Sequence, residues 1–143
     1  MASIDFDGLR VGDRLNALST APVSRLDLAL YCGASGDHNP IHVDIDYARA
    51  AGMEDVFAHG MLSMAYLGRV LTDNVPQHLL RAFGVRFVAI THVGDSVTCD
   101  GEVTEIFDAD GERRARLALT SRNQHGETKL TGEAVIAFPG TRD

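Results

Sequence analysis

Hydrophobic and polar residues alternate at strand period in the second half of the chain, from about residue 79 to residue 138. Four segments there alternate or run apolar over strand lengths, and turn signals rich in Gly and Asp separate them. These segments are LLRAFGVRFVAI, DSVTCDGEVTEIFD, RRARLALTSRNQ and TKLTGEAVIAF. Asp110-Gly111, between the second and third of them, is a strong hairpin signal. The pattern therefore predicts four antiparallel strands.

The first half of the chain carries helical signals after a short opening. A first strand is predicted from Arg14 to Thr20. Ser24, with Asp27 three residues later, forms an approximate capping box, which predicts a helix that runs to about Gly33.

The next stretch cannot continue this helix, because Pro40 forces Asn39 out of the α region. A short helix, DYARAA, is expected to follow. Asp44 or Asp46 caps its start, and Gly52 closes it.

The segment GMLSMAYLGRVLTDN, from Gly60 to about Asn74, predicts a longer helix that Pro76 ends. It is apolar nearly all round, which is typical of a helix buried on most sides. A buried helix followed by four antiparallel strands, with one strand before it, indicates a sheet wrapped around a helix. The predicted class is α+β.

Length and composition fit one globular domain over residues 1–143, with 45% hydrophobic and 23% charged residues. No apolar run is long enough for a membrane span. The first residues lack the basic start and apolar stretch of a signal peptide. Cys32 and Cys99 form no CxxC pair, and small buried thiols in a reducing compartment are the simplest interpretation. A cytoplasmic location is expected.

The net charge of −7 argues against a nucleic-acid partner, because Lys129 is the only lysine and the arginines form no basic stripe. A phosphate-bearing ligand would need a local arginine cluster against this negative balance. Arg81 and Arg86, on a predicted strand, are the candidate phosphate contacts. Exposed strand arginines more often meet only water.

Candidate chemistry is concentrated between Tyr31 and Leu62. The string SGDHNPIH, followed by AHGML, resembles the MaoC-like dehydratase family of (R)-specific enoyl-thioester hydratases. VGD near the start of the chain and the later VGDSVT extend the similarity over most of the sequence. The resemblance implies a single hot-dog domain, in which an antiparallel sheet wraps around a long, mostly buried helix.

The resemblance further implies a reversible hydration of trans-2-enoyl thioesters to (R)-3-hydroxyacyl thioesters. The substrate would be carried by coenzyme A or acyl carrier protein, with no metal or redox cofactor and no nucleic-acid or membrane partner. The implied assembly is a dimer, most simply a homodimer. A heterodimer with a second hot-dog chain that lacks the catalytic pair is the alternative.

By the same resemblance, Asp37 and His42 are the catalytic pair and the backbone amide of Gly60 is the oxyanion donor. Pro40 bends the loop between the pair, so both side chains can converge on one water. The start of the helix adds roughly half a positive charge beside the Gly60 amide. Which member of the pair moves which proton stays open at this point.

Each candidate also has a structural interpretation. Asp37 alone would more often be a turn residue. Asn39 is expected to form an Asx-type turn that supports the loop together with Pro40. His59 is expected to pack behind the site or to support it.

A metal site is a weaker alternative, because Pro40 prevents a helical His pair and no cysteine supports the set. The candidate ligands share the same stretch of chain: Asp37, His38, His42, Asp44 and His59. Three other functions therefore compete with hydration. These are thioester hydrolysis on a hot-dog fold, acyl binding without catalysis, and metal-dependent chemistry.

Overall fold

Five strands form one antiparallel sheet in a computed structural model that describes residues 4–139. The strands lie in the order β1-β3-β4-β5-β2. Their bounds are Leu18–Ser19 for β1, Leu80–Phe87 for β2, Thr98–Ala109 for β3, Glu112–Arg122 for β4 and Thr128–Ala137 for β5. The four strands predicted after residue 79 are confirmed, including the hairpin at Asp110-Gly111, where both residues have positive φ.

The first strand is shorter than predicted. Only β1 pairs regularly with β3, while Arg14 forms an isolated bridge to Glu102. The physical reason lies at Asn16, whose N–H donates to the side-chain oxygen of Asn74, 2.9 Å away, on the long helix. At Asn16 the chain therefore leaves its pairing with β3 and instead bonds to the long helix, which connects this helix to the sheet.

Residues 4–139 also form three α-helices, at Arg25–Ser35 (α1), Ile45–Ala50 (α2) and Gly60–Asn74 (α3), and α3 is the one that packs along the sheet. Two 3₁₀ turns accompany them, at Pro40–His42 and Gln77–Leu79. The predicted capping box starts α1, which runs two residues past the predicted end and stops at Gly36. Of the two candidate caps for α2, Asp44 is the one that accepts the first amides of the helix.

One side of α3 fills the concave face of the sheet, which confirms the predicted class. Leu67, Val70 and Leu71 are fully buried against apolar side chains of the strands. The helix is mostly buried, as predicted, but Met61 in its first turn is 56% exposed. A five-stranded sheet covers only one side of a helix, and no other described element covers Met61.

A second apolar cluster holds the first two helices against the start of α3. It contains Val23, Leu28, Ala48, Val56, Ala58 and Leu62. Because α1 and α2 flank the loop at residues 36–44, this cluster fixes the loop beside the first turn of α3. None of the helices formed by residues 4–139 has the length and apolar character that crossing a membrane requires.

Candidate active site

The loop that carries Asp37 is built from consecutive side-chain turns. Gly36 ends α1 in the left-handed region at φ 76°, which sends the chain away from the helix axis. One oxygen of Asp37 accepts the N–H of Asn39 at 3.2 Å, and the Asn39 side chain accepts the N–H of Ile41 at 3.1 Å. Pro40 follows as the first residue of a 3₁₀ turn. These contacts fix the position of Asp37, which is exposed to solvent.

His42 ends the 3₁₀ turn, and its ring is buried. Its Nδ1 lies 2.7 Å from the backbone oxygen of Phe57. A carbonyl oxygen can only accept a hydrogen bond, so Nδ1 carries the proton and donates it. The other ring nitrogen, Nε2, is therefore the one that can accept a proton.

The structure brings the two predicted catalytic side chains together. A carboxylate oxygen of Asp37, a ring nitrogen of His42 and a ring nitrogen of His59 all lie within 4.8 Å of one another. Asp37 is exposed and the two histidines are buried. A carboxylate that faces solvent thus meets imidazoles that face the protein interior, and a water molecule can enter from the Asp37 side.

His59 directly contacts both His42 and the Asp37 backbone, so it does more than fill space behind the site. It is 1% exposed, and its ring stacks on the His42 ring with a centroid distance of 3.9 Å. Its Nε2 lies 3.3 Å from the backbone oxygen of Asp37. Burial lowers the pKa of His59, and the neighbouring His42 lowers it further. One residue therefore contacts both members of the pair, and its surroundings favour its neutral form.

Two further residues complete the surroundings of His59. The Sγ of Cys32 lies 3.4 Å from Nε2, and the Tyr31 ring meets the imidazole edge-on at 4.7 Å. Nδ1 of His59 is buried and has no hydrogen-bond partner among residues 4–139. Sequence reasoning assigned Cys32 only to the core. The sequence does place Cys32 on α1 one turn before the Asp37 loop, and this position could have indicated that it lies near the site.

Gly60 is the first residue of α3, and its N–H makes no hydrogen bond to another part of the described chain. The first amides of this helix that find a backbone acceptor are those of Leu62 and Ser63, which both donate to His59. The residue is exposed, so the amide can reach a ligand. A Cβ atom at this position would lie 3.1 Å from the Phe87 ring, so a larger residue would require the ring or the helix start to move.

A recess of about 300 Å³ opens beside Gly60. Its walls are mostly apolar and come from the start of α3 and from the segment after β2. They are formed by Phe57, Ala58, Gly60, Ser63, Phe87, Val88, Ala89, Ile90, Thr91 and Leu130. A hydrocarbon segment next to a polarised carbonyl would fit this combination.

The two arginines proposed for phosphate contact lie on β2. Arg81 is engaged by Glu112, with 2.6 Å between the charged atoms, and it also donates to the backbone of His78. Arg81 and Arg114 together lower the pKa of Glu112 to about 2, so this ion pair persists at neutral pH. Arg86 is exposed and forms no ion pair with the rest of residues 4–139. Of the two, Arg86 is the one whose charge is available.

The cluster of Asp37, His42 and His59 also presents a donor set that a divalent ion could use. His38 and Asp44, the other ligands considered from the sequence, are not part of it. Asp44 is committed to capping α2, where it accepts the N–H groups of Asp46 and Tyr47.

An antiparallel sheet curled around one long helix defines the hot-dog class. The chain belongs to the MaoC-like domain family, whose model matches residues 8–124. The resemblance seen in the sequence motifs is therefore confirmed.

The chain is similar to proteins that are named for one reaction. It is 29% identical over 136 residues to the (R)-specific enoyl-CoA hydratase of Rhodospirillum rubrum, covering 94% of this chain and 91% of that protein. It is 30% identical to the 3-hydroxybutyryl-CoA dehydratase of Methylorubrum extorquens, covering 94% and 83%. Among solved structures, the unliganded R-hydratase PhaJ1 of Pseudomonas aeruginosa matches with a TM-score of 0.83 and 30% identity, covering 96% and 86%.

Proposed function

We propose that this protein is a hydro-lyase that adds water reversibly to trans-2-enoyl thioesters and forms (R)-3-hydroxyacyl thioesters. The observation that carries the proposal is the meeting of the Asp37 carboxylate and the His42 ring within 4.8 Å. They meet close to the helix start that presents the Gly60 amide. The names of the relatives, hydratases and dehydratases of the same thioester chemistry, support the same reaction.

His42 acts as the general base in this proposal. Because Nδ1 donates to Phe57, the lone pair on Nε2 can take a proton from water as the water oxygen bonds to Cβ of the substrate. The stack on His59 fixes the plane of the ring. The imidazolium then returns that proton to Cα, so the atoms of one water molecule are added in full.

Asp37 orients the attacking water in the same step. Its carboxylate accepts a hydrogen bond from the second O–H of the water, which stays on the oxygen and becomes the 3-hydroxyl group, while the first proton moves to His42. The Asp37 backbone oxygen lies near His59 Nε2, and the Asp37 side chain holds the turn at Asn39, so the loop geometry sets the carboxylate position. His59, Asn39 and Pro40 are positioning residues here and do not touch substrate.

The Gly60 amide stabilises the thioester oxygen as negative charge develops on it. Its N–H has no hydrogen-bond acceptor among residues 4–139, and the aligned peptide dipoles of α3 add to its effect. Removal of one such donor typically costs about 3 kcal/mol of barrier. The apolar recess beside Gly60 holds an aliphatic arm next to the thioester, on the acyl side or on the pantetheine side. Coenzyme A and acyl carrier protein both supply such a thioester.

A homodimer is the proposed assembly. Strand β2 pairs with β5 on one side only, within the described sheet, and so presents a free edge. Exposed apolar side chains continue from that edge at Phe87, Val88 and Ile90, and they adjoin the recess. Arg86 lies on the same strand and is the proposed contact for substrate phosphates. A second hot-dog chain that lacks the catalytic pair could occupy this edge in place of an identical copy.

The site needs no metal or redox cofactor for this chemistry, and the enzyme is proposed to work in the cytoplasm as a single domain. Two buried free thiols, Cys32 and Cys99, are compatible with a reducing compartment. Neither nucleic acid nor a membrane is a proposed partner.

Mixing the protein with a short 2-enoyl-CoA should remove the conjugated double bond without releasing free thiol. Ultraviolet absorbance of the enoyl thioester and a thiol reagent follow the two events in one cuvette. Thiol release would instead identify a thioester hydrolase. Stable enoyl-CoA and no thiol, across several chain lengths, would indicate an acyl-binding protein and contradict the proposal.

Treatment with a chelator should leave the hydration rate unchanged. The convergence of Asp37, His42 and His59 makes this test necessary, because the same atoms could ligate an ion. The measurement compares turnover before and after exhaustive dialysis against EDTA, with metal content recorded in both samples. A rate that falls with the metal content and returns with added zinc would favour metal-dependent chemistry.

A further inference from the structure

Lys129 is the only lysine of the chain, and it is 1% exposed. It lies on β5 next to Leu130, a wall residue of the recess, and the proposed chemistry does not use it. Burial of an ammonium group is strongly unfavourable unless its charge and its N–H donors are all matched. Its partners should therefore indicate what this residue holds in place.

The Lys129 ammonium joins three parts of the chain. It donates to the backbone oxygen of Ile90 at 2.6 Å and to the carboxylate of Glu127, the residue just before β5. The carboxylate of Asp95 lies 3.4 Å away and is itself held by the N–H of His92 at 2.9 Å. Two of these anchors, Ile90 and Asp95, lie at either end of the turn that follows β2.

The backbone of Lys129 also contacts the segment that follows β2, through hydrogen bonds. Its carbonyl oxygen accepts the N–H groups of Val88 at 2.9 Å and Ala89 at 3.1 Å. Residues 88–91 supply four consecutive wall positions of the recess. Thr91 then accepts the N–H of Ala58 at 2.9 Å, two residues before Gly60. A continuous set of contacts thus leads from the Lys129 ammonium to the wall of the recess.

We propose that Lys129 is a positioning residue that holds the segment Val88–Thr91 as the wall of the substrate recess. This inference rests on the proposed function, since the recess is taken to hold an aliphatic arm of the thioester. A tether of this kind acts on substrate binding more than on the proton transfers, because it touches the wall and not Asp37 or His42.

Lys129→Met, which keeps the length of the side chain and removes its charge and donors, tests the tether. We expect KM for a 2-enoyl-CoA to rise at least about 10-fold while kcat changes less than about 3-fold. Amide hydrogen exchange should become faster at residues 88–91. The matched control is Arg116→Met, because Arg116 also pairs with two carboxylates, Glu105 at 2.9 Å and Glu133 at 2.6 Å, on an exposed part of the sheet.

The control should leave KM and the exchange of residues 88–91 at wild-type values. An increase in KM that depends on acyl length would place the acyl chain in the recess, and an equal increase for all lengths would place the pantetheine arm there. Both support the tether. Unchanged KM and unchanged exchange in a folded Lys129→Met variant would overturn it.

If Lys129→Met does not fold, the comparison is made with Lys129→Gln, whose shorter neutral amide suits polar partners but does not reach Ile90. In that variant the same rise in KM is expected, and wild-type KM and exchange would again overturn the proposal. Wild-type protein that does not hydrate the substrate contradicts the proposed function, and the exchange comparison still tests the tether itself.

Discussion

His42→Ala should lower kcat for hydration of a 2-enoyl-CoA by at least about 10²-fold, since a positioned general base typically contributes 10²–10⁴-fold. The variant removes the one lone pair that the Phe57 hydrogen bond leaves available at this point of the site. Asp37→Asn should lower kcat to a similar extent, because the amide presents a donor where the water needs an acceptor. Steady-state kinetics, with circular dichroism to verify the fold, measures both effects.

His38→Ala is the matched control for these two variants. His38 lies in the same loop, between Asp37 and Asn39, and its side chain is exposed. We expect near-normal kcat from it. Normal turnover in His42→Ala or in Asp37→Asn would show that the catalytic pair has been assigned to the wrong residues.

Gly60→Ala should lower kcat by at least about 10-fold with little effect on the stability of the fold. The added methyl group would lie 3.1 Å from the Phe87 ring, so either the ring or the start of α3 must shift. A shift of the helix start moves the oxyanion donor, and misplacement by about 1 Å can cost about 10²-fold in rate. The measurement is kcat for a four-carbon enoyl-CoA.

Gly68→Ala provides a control of the same kind on the same helix. A Cβ atom there would lie 3.3 Å from the Phe83 ring, so the substitution makes a similar contact with an aromatic side chain of β2. Because Gly68 lies two turns from the amide donor, kcat for the short substrate should stay within about 3-fold of wild type. Equal losses of kcat in the two variants would show that Gly60 has no special role in catalysis.

The sheet and the long helix could be predicted because local pattern decides them. Alternating side chains and the Asp110-Gly111 turn are enough to specify β3 and β4, and the apolar run after Gly60 specifies α3. The end of β1 could not be predicted, because it depends on a hydrogen bond between Asn16 and Asn74, 58 residues apart. The exposure of Met61 likewise depends on how far the sheet curls.

The catalytic pair could be proposed from the sequence because the loop motif SGDHNPIH resembles that of the MaoC-like family, and because its two members lie close together in a loop bent by Pro40. The stack of His59 on His42 could not, since it depends on how the start of α3 meets that loop. The pairing of Arg81 with Glu112 requires the arrangement of strands β2 and β4. For Lys129 the strand pattern predicts a side chain on the face opposite Leu130, but not the segment after β2 that covers it.

A crystal structure of the Asp37→Asn variant with a 2-enoyl-CoA bound tests the central claim most directly. We expect the thioester oxygen about 2.7–3.1 Å from the Gly60 nitrogen, with Cβ of the substrate facing both His42 Nε2 and the substituted side chain at position 37. A thioester bound with its oxygen away from α3, or with Cβ out of reach of His42, would contradict the account.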